Sequence, residues 1–228
     1  MSRMTPISIM LVGAPKIGKS HFTIKLASDL NTRCFNKSNY VHCMTLTTKH
    51  FDGYLQQPIV VLDDHYKLCD GKQEIDASAV FNMVSCTKFY PPFASMEYKG
   101  LEFNSKFVII TSNFGFPRTQ FLSTALHRRH KHHVIMLKTK SMQVDFSHIT
   151  FYHAVELIDP WQGNYQYPFS ERIDIPLDEK MFKLFPFKHL YNRVTYEQLL
   201  DILVDDYQRE LNIYQAISDQ AINKSKSI

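Results

Sequence analysis

One stretch, Ile7 to Asp29, restricts what this chain can fold into more than any other. A short apolar run, ISIMLV, leads into Gly13-Ala-Pro-Lys-Ile-Gly18-Lys19-Ser20 and then HFTIKLASDL. The run is rich in β-branched residues and too short for a helix, so it reads as a fully buried strand. Ile24, Leu26, Ala27 and Leu30 recur at roughly helical spacing, so the glycine loop joins a strand to a helix. In that context G-x-x-x-x-G-K-[ST] is a phosphate cradle. Gly13, Ala14, Pro15, Lys16, Ile17, Gly18, Lys19 and Ser20 would form it, with backbone N–H groups and the helix dipole attracting the anion. Lys19 would reach the β- and γ-phosphates as a point charge, and the Ser20 hydroxyl would ligate magnesium. The bland alternative is a chance glycine-lysine turn. The flanking strand and helix favour a nucleotide site.

The 228 residues suffice for one substantial core with a small appended piece. A hydrophobic fraction of 44% and a charged fraction of 21% are ordinary for a folded soluble protein. No run approaches the roughly 18 apolar residues of a membrane span, and the first residues lack a signal-peptide pattern. A net charge of +4 permits nucleic-acid binding without demonstrating it. Cys34, Cys43, Cys69 and Cys86 show no C-x-x-C spacing, so reduced thiols are expected and a zinc site built from them is not. Met1-Ser-Arg-Met-Thr-Pro runs almost directly into the first strand, which fits a domain cut from something longer.

The expected fold class is α/β, a largely parallel sheet flanked by helices with a small irregular C-terminal region. Arg33-Cys-Phe and Tyr40-Val-His-Cys-Met read as short strand material around a polar turn. Pro58 to Asp64 and Lys106 to Asn113 are strong strands, each apolar and ending in polar residues, and His133 to Leu137 is another. Ile75 to Thr87 reads as a helix broken by Tyr90-Pro-Pro-Phe, Met96 to Phe103 as a hairpin or protruding loop, and Thr119 to Leu126 as a short helix. Alternating strands and helices argue for a sheet covered on both faces. Gly13, Asp63 and Asn113 would then gather beyond the carboxyl ends of the strands, where such sheets bind ligands. Residues 1–138 form the expected core. Residues 139–228 form a C-terminal region that is irregular or short-stranded to about 190. It ends in an amphipathic helix from Thr195 with a Thr195–Gln198 capping box and a frayed polar tail. That helix would pack on its own domain or on a neighbouring subunit.

Asp63-Asp64 are natural partners of a phosphate loop. Asp63 would hold magnesium directly or through water, and Asp64 would orient and deprotonate the attacking water. Asn113 would hydrogen-bond the γ-phosphate or the water, although asparagine is also a common turn former. An arginine of the Arg128-Arg129 pair would stabilise transition-state charge in cis or across a subunit interface; the bland alternative is a solvated basic corner. The run His127 to His133 matches no zinc pattern and its cations oppose a dication, so a basic edge facing nucleic acid or a subunit is expected instead.

Several unusual blocks occur in one order. They are Phe51-Asp-Gly-Tyr-Leu-Gln-Gln, Val-Val-Leu-Asp63-Asp64, Asp70-Gly71 and Phe81-Asn-Met-Val-Ser. Pro91-Pro-Phe-Ala-Ser-Met-Glu-Tyr-Lys99-Gly100, Thr111-Ser-Asn113 and Ala125-Leu-His-Arg128-Arg129 follow. Over about residues 7 to 138 this resembles the 2C protein of picornaviruses and their relatives. The resemblance implies a superfamily 3 helicase domain of the AAA+ group, a P-loop NTPase working as a ring, usually a hexamer. By it, Gly13 to Ser20 is the Walker A motif, Asp63-Asp64 the Walker B, and Asn113 the motif C residue sensing phosphate. Arg128 and Arg129 correspond to arginine fingers acting on a neighbour's nucleotide. Lys99 lies in the pore segment that contacts single-stranded nucleic acid, where it would track phosphates.

Lys16 departs from the family by standing where glycine is frequent. By the same resemblance, the sequence is expected to lack the cysteine-rich zinc element that some members carry after the core and the amphipathic N-terminal segment by which full-length members hold membranes. The terminal helix is placed like the family's C-terminal interaction helix.

What the resemblance implies is an ATP- and Mg2+-dependent RNA helicase of a viral replication complex, with itself, single-stranded RNA and other replication or capsid proteins as partners. It would sit on the cytoplasmic face of virus-induced membranes in the host cytoplasm, held there through the missing N-terminal segment. The rival expectation is an ATP-driven assembly or scaffold protein of replication membranes or encapsidation that unwinds nothing.

Overall fold

The computed structural model describes residues 3–36, 41–45, 50–66, 73–113, 128–141, 143–155 and 176–226. The elements are β1 (Ile7–Gly13), α1 (Lys19–Phe35), β2 (Val41–Thr45), β3 (Ile59–Asp63), α2 (Gln73–Met83), β4 (Phe107–Ser112), β5 (His132–Lys138), β6 (Ile149–Val155), α3 (Glu179–Leu184), β7 (Asn192–Val194) and α4 (Tyr196–Lys226). The seven strands form one sheet in the order β2-β3-β4-β1-β5-β6-β7. β1 to β5 run parallel, and β6 and β7 add antiparallel to the β5 edge. Crossovers between parallel strands place helices on both faces, so the central strands are buried on both sides. All seven residues of β1 are buried.

Alternation along each strand divides the core in two. Ile9, Leu11, Val61, Ile109, Val134 and Met136 face α1 and α4, meeting Phe22, Leu26 and Leu30 of the first and Leu199, Leu203 and Tyr207 of the second. Met10, Val12, Val60, Leu62, Val108, Ile110, Ile135 and Leu137 face the other way, toward Ala77, Val80 and Met83 of α2 and an aromatic group of Phe182, Phe185, Phe187 and Tyr191.

Several boundaries depart from the sequence expectation, each for a physical reason. Arg33-Cys-Phe is the last turn of α1 rather than strand, because the helix continues to a left-handed cap at Asn36 (φ 50°) whose N–H donates to Asn31 O. Arg33 there donates to Asp201 (2.5 Å) and Glu197 (2.7 Å) of α4. Ile24, expected on the buried face of α1, is 68% exposed, and Phe22 takes that role. α2 stops at Met83, short of Thr87. The Arg3 guanidinium caps its end, donating to the carbonyls of Asn82 (2.8 Å), Met83 (2.7 Å) and Thr87 (2.8 Å).

Met96 to Phe103 forms no hairpin. Met96–Tyr98 is a single 3-10 turn with Ser95 at its N-cap. Among the described residues beyond 139, β6 is a seven-residue strand fully paired to β5. The terminal helix runs through Lys226. The capping box does form: Gln198 N donates to Thr195 Oγ1 (3.2 Å) and Thr195 N to Gln198 Oε1 (2.9 Å). The expected helix 119–126 and the Asp70-Gly71 block lie outside the described residues.

The histidine-rich run is also corrected. His130, His132 and His133 are each 1% exposed, so they form no basic edge. His130 Nε2 lies 3.0 Å from Tyr66 OH, and His133 Nδ1 lies 2.9 Å from Tyr191 OH. His132 Nε2 donates to Asp206 Oδ2 of α4 (3.0 Å), which leaves His132 Nδ1 to accept from His153 Nε2 of β6 (3.0 Å). Lys131 and Arg209 also pair with Asp206, the first at 3.0 Å and the second at 3.2 Å. The bond from His132 to Asp206 ties the terminal helix to the sheet.

Burial holds the His65 and His153 imidazoles neutral, each pushed down to about 4. The unfolded chain protonates such rings near pH 6.5. Below that pH the unfolded state therefore binds more protons, and stability falls as pH drops from about 6.5 toward 4. Urea denaturation at pH 7, 6 and 5 should show a loss on the order of 1–2 kcal/mol per ring by pH 5. The decline should shallow in His153→Phe relative to its own value at pH 7.

Candidate nucleotide-binding site

The loop after β1 is shaped by close packing and by two left-handed residues. A Cβ on Gly13 would lie 2.8 Å from Met136 O on β5, so the approach of these strands leaves no room for a side chain. Gly18 has φ 99° and starts α1 without a side-chain cap. The first-turn N–H groups thus point from the helix end toward whatever anion the loop holds. Lys16 has φ 62°, a region costly for a residue with a Cβ.

Lys19, Asn113 and Asp64 form a chain across the loop. Lys19 Nζ donates to Asn113 Oδ1 (2.7 Å), Gly13 O (2.8 Å) and Ala14 O (3.0 Å). Asn113 Nδ2 in turn donates to Asp64 Oδ1 at 3.4 Å. Burial lowers the Lys19 ammonium to about 8, against the opposing pull of Asp64 and Asp63. Ser20 Oγ donates to Asp63 Oδ1 at 3.2 Å. Neighbouring oxygens around an octahedral magnesium at 2.0–2.1 Å stand about 3 Å apart, so Ser20 and Asp63 fit two ligand positions of that ion. Among the described residues no group of three or more His, Cys, Asp or Glu side chains could hold a metal, so phosphate oxygens and water would complete its shell.

Lys19, Ser20, Asp63, Asp64 and Asn113 therefore gather at the carboxyl ends of β1, β3 and β4. Arg128, Arg129 and Lys99 do not join them. Ser8, at the start of β1, donates its hydroxyl to Arg129 O, so the arginine pair lies at the amino end of the sheet. Five residues of strand, roughly 16 Å, separate Ser8 from Gly13. Arg128 is exposed, and the Arg129 guanidinium lies 5.6 Å from the Phe81 ring of α2. Lys99 is exposed in the turn after Met96–Tyr98, in the connection that leads to the amino end of β4. The remaining residues of the arginine block, 125–127, lie outside the described residues.

Sequence reasoning missed two groups that build the site. Thr111 Oγ1 donates to Asp63 Oδ1 (2.8 Å) and accepts from Asp64 N (2.8 Å), so one buried hydroxyl positions both acidic residues. Thr111 O accepts from His65 N (2.7 Å), and Ser112 Oγ donates to His65 O (2.9 Å). These bonds hold Asp64 in a left-handed conformation, φ 52°. Polar residues ending an otherwise apolar strand were the available signal, and the sequence reading gave a role only to Asn113. The second group, His148, accepts from Gln143 N at Nδ1 (2.9 Å) and donates through Nε2 to Ile17 O (3.2 Å), bracing the phosphate loop. Its separation of 131 residues left no local signal.

A glycine loop between a central parallel strand and a helix, with two carboxylates on a nearby strand, defines a P-loop NTPase fold. Residues 9–114 match the family model described as RNA helicase, and this segment belongs to that family. It is a superfamily 3 helicase domain of the kind found in the picornavirus 2C protein. Membership brings nucleotide binding and, as a class, nucleoside-triphosphatase or helicase activity.

Thr111→Val removes the hydroxyl but keeps the volume. It should lower kcat at least tenfold and raise the magnesium concentration for half-maximal activity, with Thr111→Ser largely restoring both. Binding of a triphosphate needs charged Lys19, so its affinity should weaken above about pH 8, approaching tenfold per pH unit. Titration calorimetry at pH 7, 8 and 9 checks this, and Lys19→Arg, whose guanidinium stays charged through that range, should flatten the dependence in whatever binding it retains.

Proposed function

We propose that this domain is a magnesium-dependent ATPase that works as a ring and couples hydrolysis to movement on, or remodelling of, RNA. The convergence of Lys19, Ser20, Asp63, Asp64 and Asn113 within the family-matched segment carries the reading. Phosphoryl transfer needs little covalent help from a protein; positioning and charge stabilisation dominate. Lys19 leaves the loop carbonyls to hold the β- and γ-phosphate oxygens. Ser20 and Asp63 would ligate magnesium, which supplies Lewis-acid neutralisation of the phosphate charge. Asp64, held by Thr111 and Asn113, takes the proton of the attacking water, and Asn113 reports the γ-phosphate to both Lys19 and Asp64.

The separation of the two ends of the sheet supports the ring. An arginine reaching the transition state must come within hydrogen-bond distance of the γ-phosphate. Arg128 and Arg129 sit roughly 16 Å from their own loop, beyond an arginine's length. They therefore serve a neighbouring subunit, and the complete site forms between chains. Lys99, exposed on the same side of the sheet, would meet RNA phosphates in the ring's centre.

The specific ATPase rate should rise with protein concentration. Arg128→Ala/Arg129→Ala and Asp64→Asn should each be nearly inactive, and mixing them should restore part of the activity, since mixed interfaces pair an intact site with intact arginines. A rate independent of concentration and of the arginine changes would sink the ring. Single-stranded RNA should stimulate the wild type, and Lys99→Ala should lose that response. Concentration-dependent ATPase without any RNA response would favour the assembly protein over the motor.

A further inference from the structure

The phosphate loop carries a second cation besides Lys19. In Gly13-Ala-Pro-Lys16-Ile-Gly18-Lys19-Ser20 two residues are left-handed, Lys16 at φ 62° and Gly18 at φ 99°. Glycine enters that region freely, whereas a residue with a Cβ does so at a cost. Lys16 bears the cost without gaining any packing, because its side chain is exposed. It gains no ion pair either. Lys25, Lys88 and Lys131 each meet a carboxylate, and Lys16 meets none among the described residues.

Contacts on both sides fix where this side chain starts. Gly13 is pressed against β5, where a Cβ would meet Met136 O at 2.8 Å. Ile17 is 2% exposed, and its carbonyl accepts from His148 Nε2 at 3.2 Å. The Lys19 stem shows how wide the loop is, since it crosses from the helix start to Gly13 O (2.8 Å) and Ala14 O (3.0 Å). The mouth is therefore no wider than one lysine side chain and a hydrogen bond. Lys16 stands midway along the same loop with a stem of the same length, so its ammonium can reach an anion held there. The first half of the loop also borders the hydrolytic residues. One ammonium joins Ala14 O to Asn113 Oδ1 (2.7 Å), and Asn113 in turn reaches Asp64. Lys16 follows Ala14 by two residues, which sets it toward the γ-phosphate rather than toward the phosphates beside α1.

We infer that Lys16 is a γ-phosphate contact supplied by the same chain, by which the site discriminates a nucleoside triphosphate from the diphosphate. The inference rests on the phosphate-loop reading above. Of the five side chains gathered at this end of the sheet, Lys19 alone is cationic, against the carboxylates of Asp63 and Asp64. The γ-phosphate adds negative charge that a diphosphate lacks, and a compact ammonium answers it at short range. Lys19 must leave three oxygens to meet the ligand, whereas Lys16 breaks no ion pair to do so. The arginine pair needs a neighbouring chain, and Lys16 acts in each chain before any neighbour docks.

Titration calorimetry with magnesium tests the contact, using ADP and the β,γ-imido analogue of ATP, which resists hydrolysis. Lys16→Met keeps the stem and the Cβ but removes the charge. It should weaken the triphosphate roughly tenfold and the diphosphate less than about twofold. Lys16→Arg should keep the wild-type preference. Lys16→Gly should lose the preference as Lys16→Met does, with a melting temperature no lower than wild type, because it also relieves the left-handed backbone. Equal loss of both ligands in the Met and Gly variants, or loss of neither, would overturn the inference. Lys19→Ala should abolish binding of both nucleotides; if it affects neither, or if the wild type binds neither, the phosphate-loop reading fails and this inference with it.

Discussion

Everything in this domain hangs on the burial of β1 between β4 and β5. A parallel strand covered on both faces has no solvent partner for its backbone, so its hydrogen bonds go to the strands beside it. That fixes where its last residue ends. Gly13 lies so close to Met136 that only hydrogen fits at Cα, and the chain leaves the sheet in a tight loop rather than a wider one. The loop geometry is therefore a consequence of sheet packing, and the anion-binding amides inherit their positions from it.

The chemistry is assembled from groups that restrain one another. Lys19 is half-desolvated, which weakens its hold on its own proton, yet it is ringed by carbonyl oxygens and the Asn113 amide. Thr111 couples the two acidic residues through one hydroxyl. Lys19, Asn113 and Asp64 are joined in one hydrogen-bonded chain, and Asp64 and Asp63 in turn through Thr111. The Lys131–His132–Asp206–Arg209 group plays a mechanical part, joining α4 to β5 behind the site.

The two ends of the sheet hold different kinds of residue. The carboxyl end collects backbone amides, a lysine and carboxylates, the requirements of a triphosphate. The amino end holds exposed Arg128, and exposed Lys99 lies in the connection leading to β4. Beyond Tyr214 the terminal helix also leaves the core, with Ile217 and Ile222 about half exposed.

The strand–loop–helix at Ile7 to Asp29, the carboxylates at the end of β3 and the asparagine after β4 were legible because each is local. Hydrophobic period, glycine placement and a polar residue ending an apolar run all operate within a few residues, and no tertiary contact is needed to read them. The helical capping box at Thr195 was legible for the same reason. Which residues meet was not legible. His132 was read as surface charge because nothing local says that Asp206, 74 residues away, will satisfy it in the core. Arg33 was assigned to a strand because its partners, Glu197 and Asp201, lie on a helix far along the chain. Thr111 gained a role only when β4 paired beside β3, and His148 only when the β5–β6 connection folded back onto Ile17. The sequence by itself determined the chemical parts and their local carriers, since propensity and periodicity are short-ranged. The tertiary structure alone decided which parts touch, which charges are buried and which end of the sheet each faces, because those depend on strand order and long-range packing.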